Sequence, residues 1–344
     1  MNAGEVSREE EIQGVFYAKP HVLILGAGAS IATLPNGDRN GKRLPDMRGL
    51  ALLPEVRELL LEGEIKEPEA DFEAAYAQLR SEGRDEIADH VDREVRNYFS
   101  DIEIVEATTI YDHLLLSLRP KDLIATFNWD PLLVQARHRL VNAGARDLPE
   151  LAFLHGNVAV GACTEHDVQG DIRAHCPICE EPLEPVPLLY PVTEKDYEAD
   201  PFISRAWGRL RDDLGRACLV TIFGYSAPIS DVAAIAEFKR AWGPVQGREL
   251  EEFELVIRPG ADPDRATETW DDFIFSHHFE VFEDFYDSAA ANHPRRSAEN
   301  YFNRFLAAKF TDVNPVPRDL NVDETVAWYS ELWAAEDAAE AHST

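Results

Sequence analysis

The run His21-Val22-Leu23-Ile24-Leu25-Gly26-Ala27-Gly28-Ala29-Ser30 restricts the fold more than any other stretch of the 344-residue chain. Residues 22–25 are apolar without alternation, so both faces of that strand are buried, which is the condition of a parallel sheet covered by helices. A glycine turn follows at once. Glycine lets the backbone come close to an anion, and the amides at the start of the next helix are unpaired, so the turn suits a diphosphate. The same turn also serves simply to pack strand against helix, and the residues alone leave both uses open.

Further apolar runs punctuate the chain at 123–127, 151–154, 218–223 and 253–257, and each ends on glycine or a polar side chain. That recurrence predicts a parallel sheet whose carboxyl ends border one crevice. Val56, Leu59, Leu60, Phe72, Ala75, Tyr76 and Leu79 recur at three- and four-residue intervals, so residues 54–118 read as an inserted helical module. A Cys/His segment rich in turn residues spans about 160–187. The expected fold class is α/β: a Rossmann-like parallel sheet with helices on both faces, the inserted helical module and a small zinc-ribbon-like segment. Residues 1–263 are expected to form the main domain, and 264–344 a C-terminal helical extension whose end, AAEDAAEAHST, frays.

Three constellations carry chemistry. In Thr126-Phe127-Asn128-Trp129-Asp130, Asn128 and Asp130 share strand parity where the strand opens into the crevice, so both can face one ligand. Asp130, directly before Pro131, also suits a helix cap, and the two uses are compatible. His155, between an apolar run and a glycine, stands where an imidazole can act as general base near neutral pH, or serve as an ordinary hydrogen-bonded residue. Cys163-Thr-Glu-His166 and Cys176-Pro-Ile-Cys179 offer three thiolates and one imidazole, enough for a closed tetrahedral zinc site, with His175 a rival fourth ligand. A closed site has no open position, so it would hold a ribbon together and not activate water.

Composition narrows the partners. With 64 acidic against 33 basic residues the formal net charge is -31, which opposes direct contact with nucleic acid or anionic lipid. No stretch reaches the ~20 apolar residues of a membrane span, and the first residues are acidic and polar where a secretory signal would be basic and then apolar. No membrane and no nucleic acid are therefore expected, and the cytoplasm is the expected location. Three of the four cysteines lie within 163–179, which favours a metal clip over a disulfide framework.

Taken in order, GAGAS (26–30), LPDMRG (44–49), TFNWD (126–130), LHG (154–156), the cysteine knuckles and FGYS (223–226) resemble the successive motifs of the sirtuin-like, or silent information regulator, family over about residues 20–260. The resemblance implies an NAD-binding catalytic domain within 1–263. It matches Gly26, Ala27, Gly28 and Ser30 to the diphosphate turn, and Pro45, Asp46 and Arg48 to a flexible loop beside the nicotinamide. Asn128 and Asp130, in the segment that begins with Thr126 and Phe127, match the pair around the nicotinamide ribose and carboxamide. His155 matches the catalytic base, Gly224 and Ser226 the later nucleotide-binding turn, and Cys163, His166, Cys176 and Cys179 the structural zinc ligands. An anionic cofactor in so acidic a chain has to depend on local backbone donors.

The departures from the family pattern are specific. Met47 replaces phenylalanine, the stretch from Ser30 to Pro45 is longer, His166 replaces a zinc cysteine, and Tyr225 replaces threonine. Arg258 stands where many relatives carry an asparagine for the adenosine ribose. PLLYPVTEKDY (187–197) lacks the sequence with which deacylase sirtuins receive an acyl-peptide. These differences resemble the bacterial branch associated with anti-phage defence, whose members hydrolyse NAD. The resemblance therefore implies an NAD glycohydrolase acting by NAD depletion; because such an enzyme acting freely would be toxic, restraint by assembly as a homo-oligomer or by a partner protein, such as an ATPase, is expected. The alternatives are an NAD-dependent protein deacylase and a catalytically silent nucleotide sensor or oligomer-forming partner.

Overall fold

The computed structural model describes residues 4–190, 197, 200–226, 232–243, 251–271, 273 and 278–343. In chain order its strands are β1 (Glu5–Val6), β2 (His21–Leu25), β3 (Leu123–Thr126), β4 (Glu150–Phe153), β5 (Val160–Cys163) and β6 (Val168–Asp171). They continue with β7 (Glu184–Pro185), β8 (Leu219–Phe223), β9 (Glu252–Val256), β10 (Phe279–Phe282) and β11 (Phe310–Thr311). Six of them form one sheet in the order β10-β9-β8-β2-β3-β4, with every neighbouring pair parallel. The chain therefore builds outward from β2 through β3 to β4, then returns to the other flank of β2 with β8. The order reverses beside β2, and in doubly wound sheets the crevice opens at that reversal, outside the carboxyl ends of the strands.

Unbroken apolar runs suit this sheet because both of its faces are covered. Leu23 and Leu25 pack on one face with Leu60, Leu79 and Val91 of the insertion, whereas Val22 and Ile24 pack on the other with Trp207 and Phe238. Burying one such side chain contributes about 1.5–3 kcal/mol. The expected helical module is present as the helices Pro54–Glu62, Phe72–Ser81, Asp85–Ser100 and Ile110–Leu116. The expected ribbon is the three-stranded antiparallel sheet β6-β5-β7.

The C-terminal segment, expected as a helical extension, carries helices and two short strands, β10 and β11. Strand β10 lies beyond residue 263 and adds to the edge of the main sheet, in register with β9. Its four residues, Phe-Glu-Val-Phe, are too few to announce a strand without the edge that receives them. The last helix, Ser330–Ser343, runs through the described part of AAEDAAEAHST and is anchored at its start by buried Leu332, Trp333 and Ala335. Glu336 of that helix accepts hydrogen bonds from both Arg295 and Arg296, two buried guanidiniums that need a counter-charge. No helix among the described residues is long and apolar enough to cross a membrane.

Candidate functional site

The glycine turn after β2 and the turn after β8 are locked together at the reversal point. Gly28 donates its amide to Gly224 O at 3.0 Å, and Gly224 adopts φ +64 with no room for a side chain, since a Cβ there would stand 2.2 Å from Ala29 N. A Cβ on Gly26 would likewise meet Gly224 O at 2.6 Å. The glycines are thus required for backbone packing, whatever else they hold. Ala27 and Ser226 lie exposed at the rim, and Gly28 is half-buried.

Strand β3 ends at Thr126, so Asn128 and Asp130 lie beyond the strand and owe their common direction to the turn rather than to strand parity. Thr126, fully buried, accepts the Asn128 amide on Oγ1 at 3.0 Å and tightens that turn. Asn128 Nδ2 then donates to Gly26 O and to Ser30 Oγ, both at 2.8 Å, and lies 3.2 Å from Tyr111 OH. Ser30 Oγ donates to Asp130 Oδ2 at 2.6 Å. Because the single Ser30 proton goes to Asp130, the 2.7 Å contact between Ser30 and Tyr111 requires the tyrosine to donate. Asp130 Oδ1 accepts from Leu132 N at 3.1 Å, the first amide of the helix Leu132–Asn142, whose N-cap position is Pro131, so the carboxylate ties the helix start to the cluster. Among the described residues no donor reaches Asn128 Oδ1, which leaves that carbonyl as the acceptor the cluster offers.

Burial pushes the Asp130 carboxyl above its usual range, while the hydrogen bonds from Ser30 and Leu132 pull it back. Burial and the neighbouring Asp130 raise the Tyr111 phenol, so its hydroxyl stays a proton donor.

His155 packs on a different set of side chains. Its ring meets Phe127 edge-on at 4.7 Å between centroids, and its Nε2 lies 3.5 Å from Tyr197 OH. Phe127 in turn stacks on Tyr225 at 4.2 Å and 15°. These rings belong to the opposite core layer from Ser30 and Tyr111. The three side chains expected around one point thus fall into two adjoining groups, a hydrogen-bonded one holding Asn128 and Asp130 and an aromatic one holding His155. The two are tied through the backbone, since Leu154 N bonds Thr126 O at 2.9 Å and Asn157 Nδ2 bonds Asp130 O at 2.6 Å. Gly156, with φ +79, lets this crossing pass beside Pro187, whose oxygen would stand 1.9 Å from a Cβ.

Asp46 and Arg48 are exposed, and Asp46 caps the helix Met47–Ala51 by accepting Gly49 N at 2.7 Å. Sequence reasoning missed Tyr111, Asn157 and Tyr197. Asn157 follows the His-Gly pair directly, so a buried polar residue at a strand end was there to be noticed. Tyr111 lies in the helical insertion, where nothing local marks it as part of a rim.

The ribbon brings Cys163, His166, Cys176 and Cys179 together, with one donor atom of each within 4.8 Å of the others. Cys163 Sγ is 3.8 Å from Cys179 Sγ and 3.5 Å from His166 Nδ1. Tetrahedral zinc with bonds of about 2.3 Å sets thiolates about 3.8 Å apart, so the donor set fits that ion. His166 completes the set, whereas His175 pairs with Pro182 in a β-bridge. Each knuckle is followed by a left-handed residue, Asp167 at φ 55 and Glu180 at φ 63, which folds the two turns back alike. Backbone hydrogen bonding from Cys179 lowers the Cys176 thiol to about 7, toward the thiolate that a metal requires.

No family model matches the chain, and no curated protein matches it. Among solved structures it is similar to a Sir2 homologue in complex with ADP-ribose, at 14% identity, TM-score 0.37, covering 85% of this chain and 95% of that one. A structure described for the mechanism and regulation of Sir2 enzymes gives 14% identity, TM-score 0.38 and coverage of 85% and 98%. A Sir2 homologue–NAD complex gives 15% identity, TM-score 0.36 and coverage of 95% and 93%.

Proposed function

We propose that the chain is an NAD glycohydrolase that splits the nicotinamide–ribose bond of NAD to nicotinamide and ADP-ribose. The observation that carries this reading is the buried Ser30–Tyr111–Asn128–Asp130 cluster, set where the strand order reverses, with Asn128 Oδ1 as its unengaged acceptor. The motif order along the sequence supports it, and the two glycine turns border the same crevice.

In this reaction the C–N bond at the anomeric carbon breaks and its electron pair leaves with nicotinamide. Water then bonds to the cationic carbon and gives up one proton. Asn128 Oδ1 orients the ribose hydroxyl or the water, and Asp130, held by Ser30, fixes the carboxamide. His155, in the adjoining aromatic group with Tyr197 beside its Nε2, is the proton acceptor in this proposal, which requires the ribose to lie where the two groups meet. The diphosphate belongs with the turn of Gly26, Ala27, Gly28 and Ser30, and with Gly224 and Ser226 across from it, while Asp46 and Arg48 border the nicotinamide side. Cys163, His166, Cys176 and Cys179 would hold a zinc ion with no open position, which would tie the ribbon together and supply no chemistry to the bond cleavage. Residues 1–263 are the catalytic unit in this proposal. Unrestrained NAD hydrolysis would harm its own cell, so the activity belongs to a defence response, held in check by assembly with itself or with a partner such as an ATPase.

The test is to incubate the pure protein with NAD, alone and with an acylated peptide, and quantify nicotinamide. Release without peptide is the expected result. Release that requires peptide would replace hydrolysis by deacylation, and silence under both conditions, also with self-assembly induced, would favour a nucleotide sensor.

A further inference from the structure

The same sheet face that carries the Asn128 cluster holds a second polar region, over β8, β9 and β10. By register Thr221, Glu254 and Glu280 form one row across these strands, and Glu252 lies two residues before Glu254 on the same face. The segment 287–305 arches over this row and leaves a cavity of 180 Å³. Glu254 is accounted for: it accepts the Thr221 hydroxyl at 2.7 Å and the Ala289 amide at 2.9 Å. Glu280 is paired with Arg304 at the rim, at 2.9 Å.

Glu252 is different. It is 95% buried by area, lines the cavity, and its Oε2 has no hydrogen-bond partner among the described residues. The nearest cation-forming group, His278 Nδ1, stands 3.9 Å away. A carboxyl removed from water without a partner is costly, and an intact fold keeps one when a ligand completes it. Of the other charged groups facing the cavity, His293 is bonded to Glu11, and Asp287 adds a further acid. Acids therefore outnumber bases around the cavity, and the partner that would let their carboxyls ionise is a cation.

The carboxylates do not converge as metal ligands do: among the described residues only the Cys/His group brings three or more such donors together. Carboxylates two residues apart on one strand face, in a cavity also lined by Phe282, Tyr301 and Phe305, match a cation whose charges are spaced by methylene groups. We infer that this cavity is a binding site for an aliphatic di- or polyamine, with Glu252 and Glu254 receiving its ammonium groups. The site is separate from the NAD reading and does not depend on it.

Burial raises the Glu252 carboxyl to about 8 and that of Glu254 to about 7, with Glu280 adding to both. A bound dication favours both ionised forms, so binding near pH 7 releases protons.

The experiment is isothermal titration of the full chain with 1,4-diaminobutane and with spermidine at pH 7, in two buffers of different ionisation heat. Saturable one-to-one binding with proton release is expected, weakened at least tenfold in Glu252→Gln and in Glu254→Gln. Glu331→Gln, an exposed change of the same charge, should bind as the wild type does. Circular dichroism and the thermal midpoint establish that each variant is folded, and Glu280→Gln replaces any that is not. Non-saturable uptake, equal in all variants, would reduce the effect to general attraction by an acidic surface and overturn the proposal. So would saturable binding of Mg²⁺ in place of the amines, or no binding at millimolar concentration.

Discussion

Asn128 spends its amide hydrogens on Gly26 and Ser30, whereas Glu252, on the same face of the sheet, keeps a buried oxygen with no hydrogen-bond partner among the described residues. Both are polar interruptions of an apolar layer. In the first, donors and acceptors are matched within the protein, so the geometry is set before any ligand arrives, and only the Asn128 carbonyl is left to be engaged. In the second, a buried carboxyl lacks a hydrogen-bond partner and burial keeps its proton on, a cost the fold bears until a cation lets the group ionise. The contrast separates a region organised for precise orientation from one organised for capture.

The largest expected effect breaks the organised region. Asn128→Ala removes the offered carbonyl and unties Gly26 from Ser30, and nicotinamide release should fall by about 100-fold or more, in line with the loss of an oriented polar group. The thermal midpoint should change far less than the rate. Wild-type turnover in this variant would remove the cluster from the chemistry.

Ser30→Ala should have an intermediate effect. It strips Asp130 Oδ2 and the Tyr111 hydroxyl of their common partner, at about 1–3 kcal/mol for buried groups left unsatisfied. Chemical denaturation should show that loss together with a reduced rate. Unchanged stability would mean that water replaces the hydroxyl and that the region is less closed than its hydrogen bonds indicate.

The smallest effect sharpens the other side. Glu252 and Glu254, at about 8 and about 7 in the folded chain, hold protons that the unfolded chain releases from about pH 4.5 upward. Stability from these two groups is full below that pH and is lost as pH rises to about 8. His21, pushed down to about 3 by burial, is kept neutral in the fold and contributes a slope of opposite sign. The informative quantity is therefore the difference between Glu252→Gln and wild type, followed as a urea midpoint from pH 5 to 8. The variant should gain on wild type as pH rises, and parallel curves would show that Glu252 is solvated after all.

How much was legible beforehand varies with distance along the chain. The strands at 22–25, 123–127, 151–154, 218–223 and 253–257 were found within a residue or two of their observed bounds, because burial on both faces leaves a continuous apolar run. The four donors of the ribbon were also legible, since two three-residue spacings carry most of the geometry. Strand β10 was not, because four residues become a strand only when a sheet edge pairs with them.

The sequence by itself determined a parallel α/β sheet, its glycine turns and its metal clip, since each is written in residues adjacent in the chain. Only the tertiary structure decided that Tyr111, 81 residues from Ser30, closes the Asn128 cluster, that His155 sits among rings on the other layer, and that Glu252 is buried with no hydrogen bond to Oε2 among the described residues. The reason is physical: local pattern fixes which face of an element is apolar, but which polar groups meet, or fail to meet, depends on how distant elements pack.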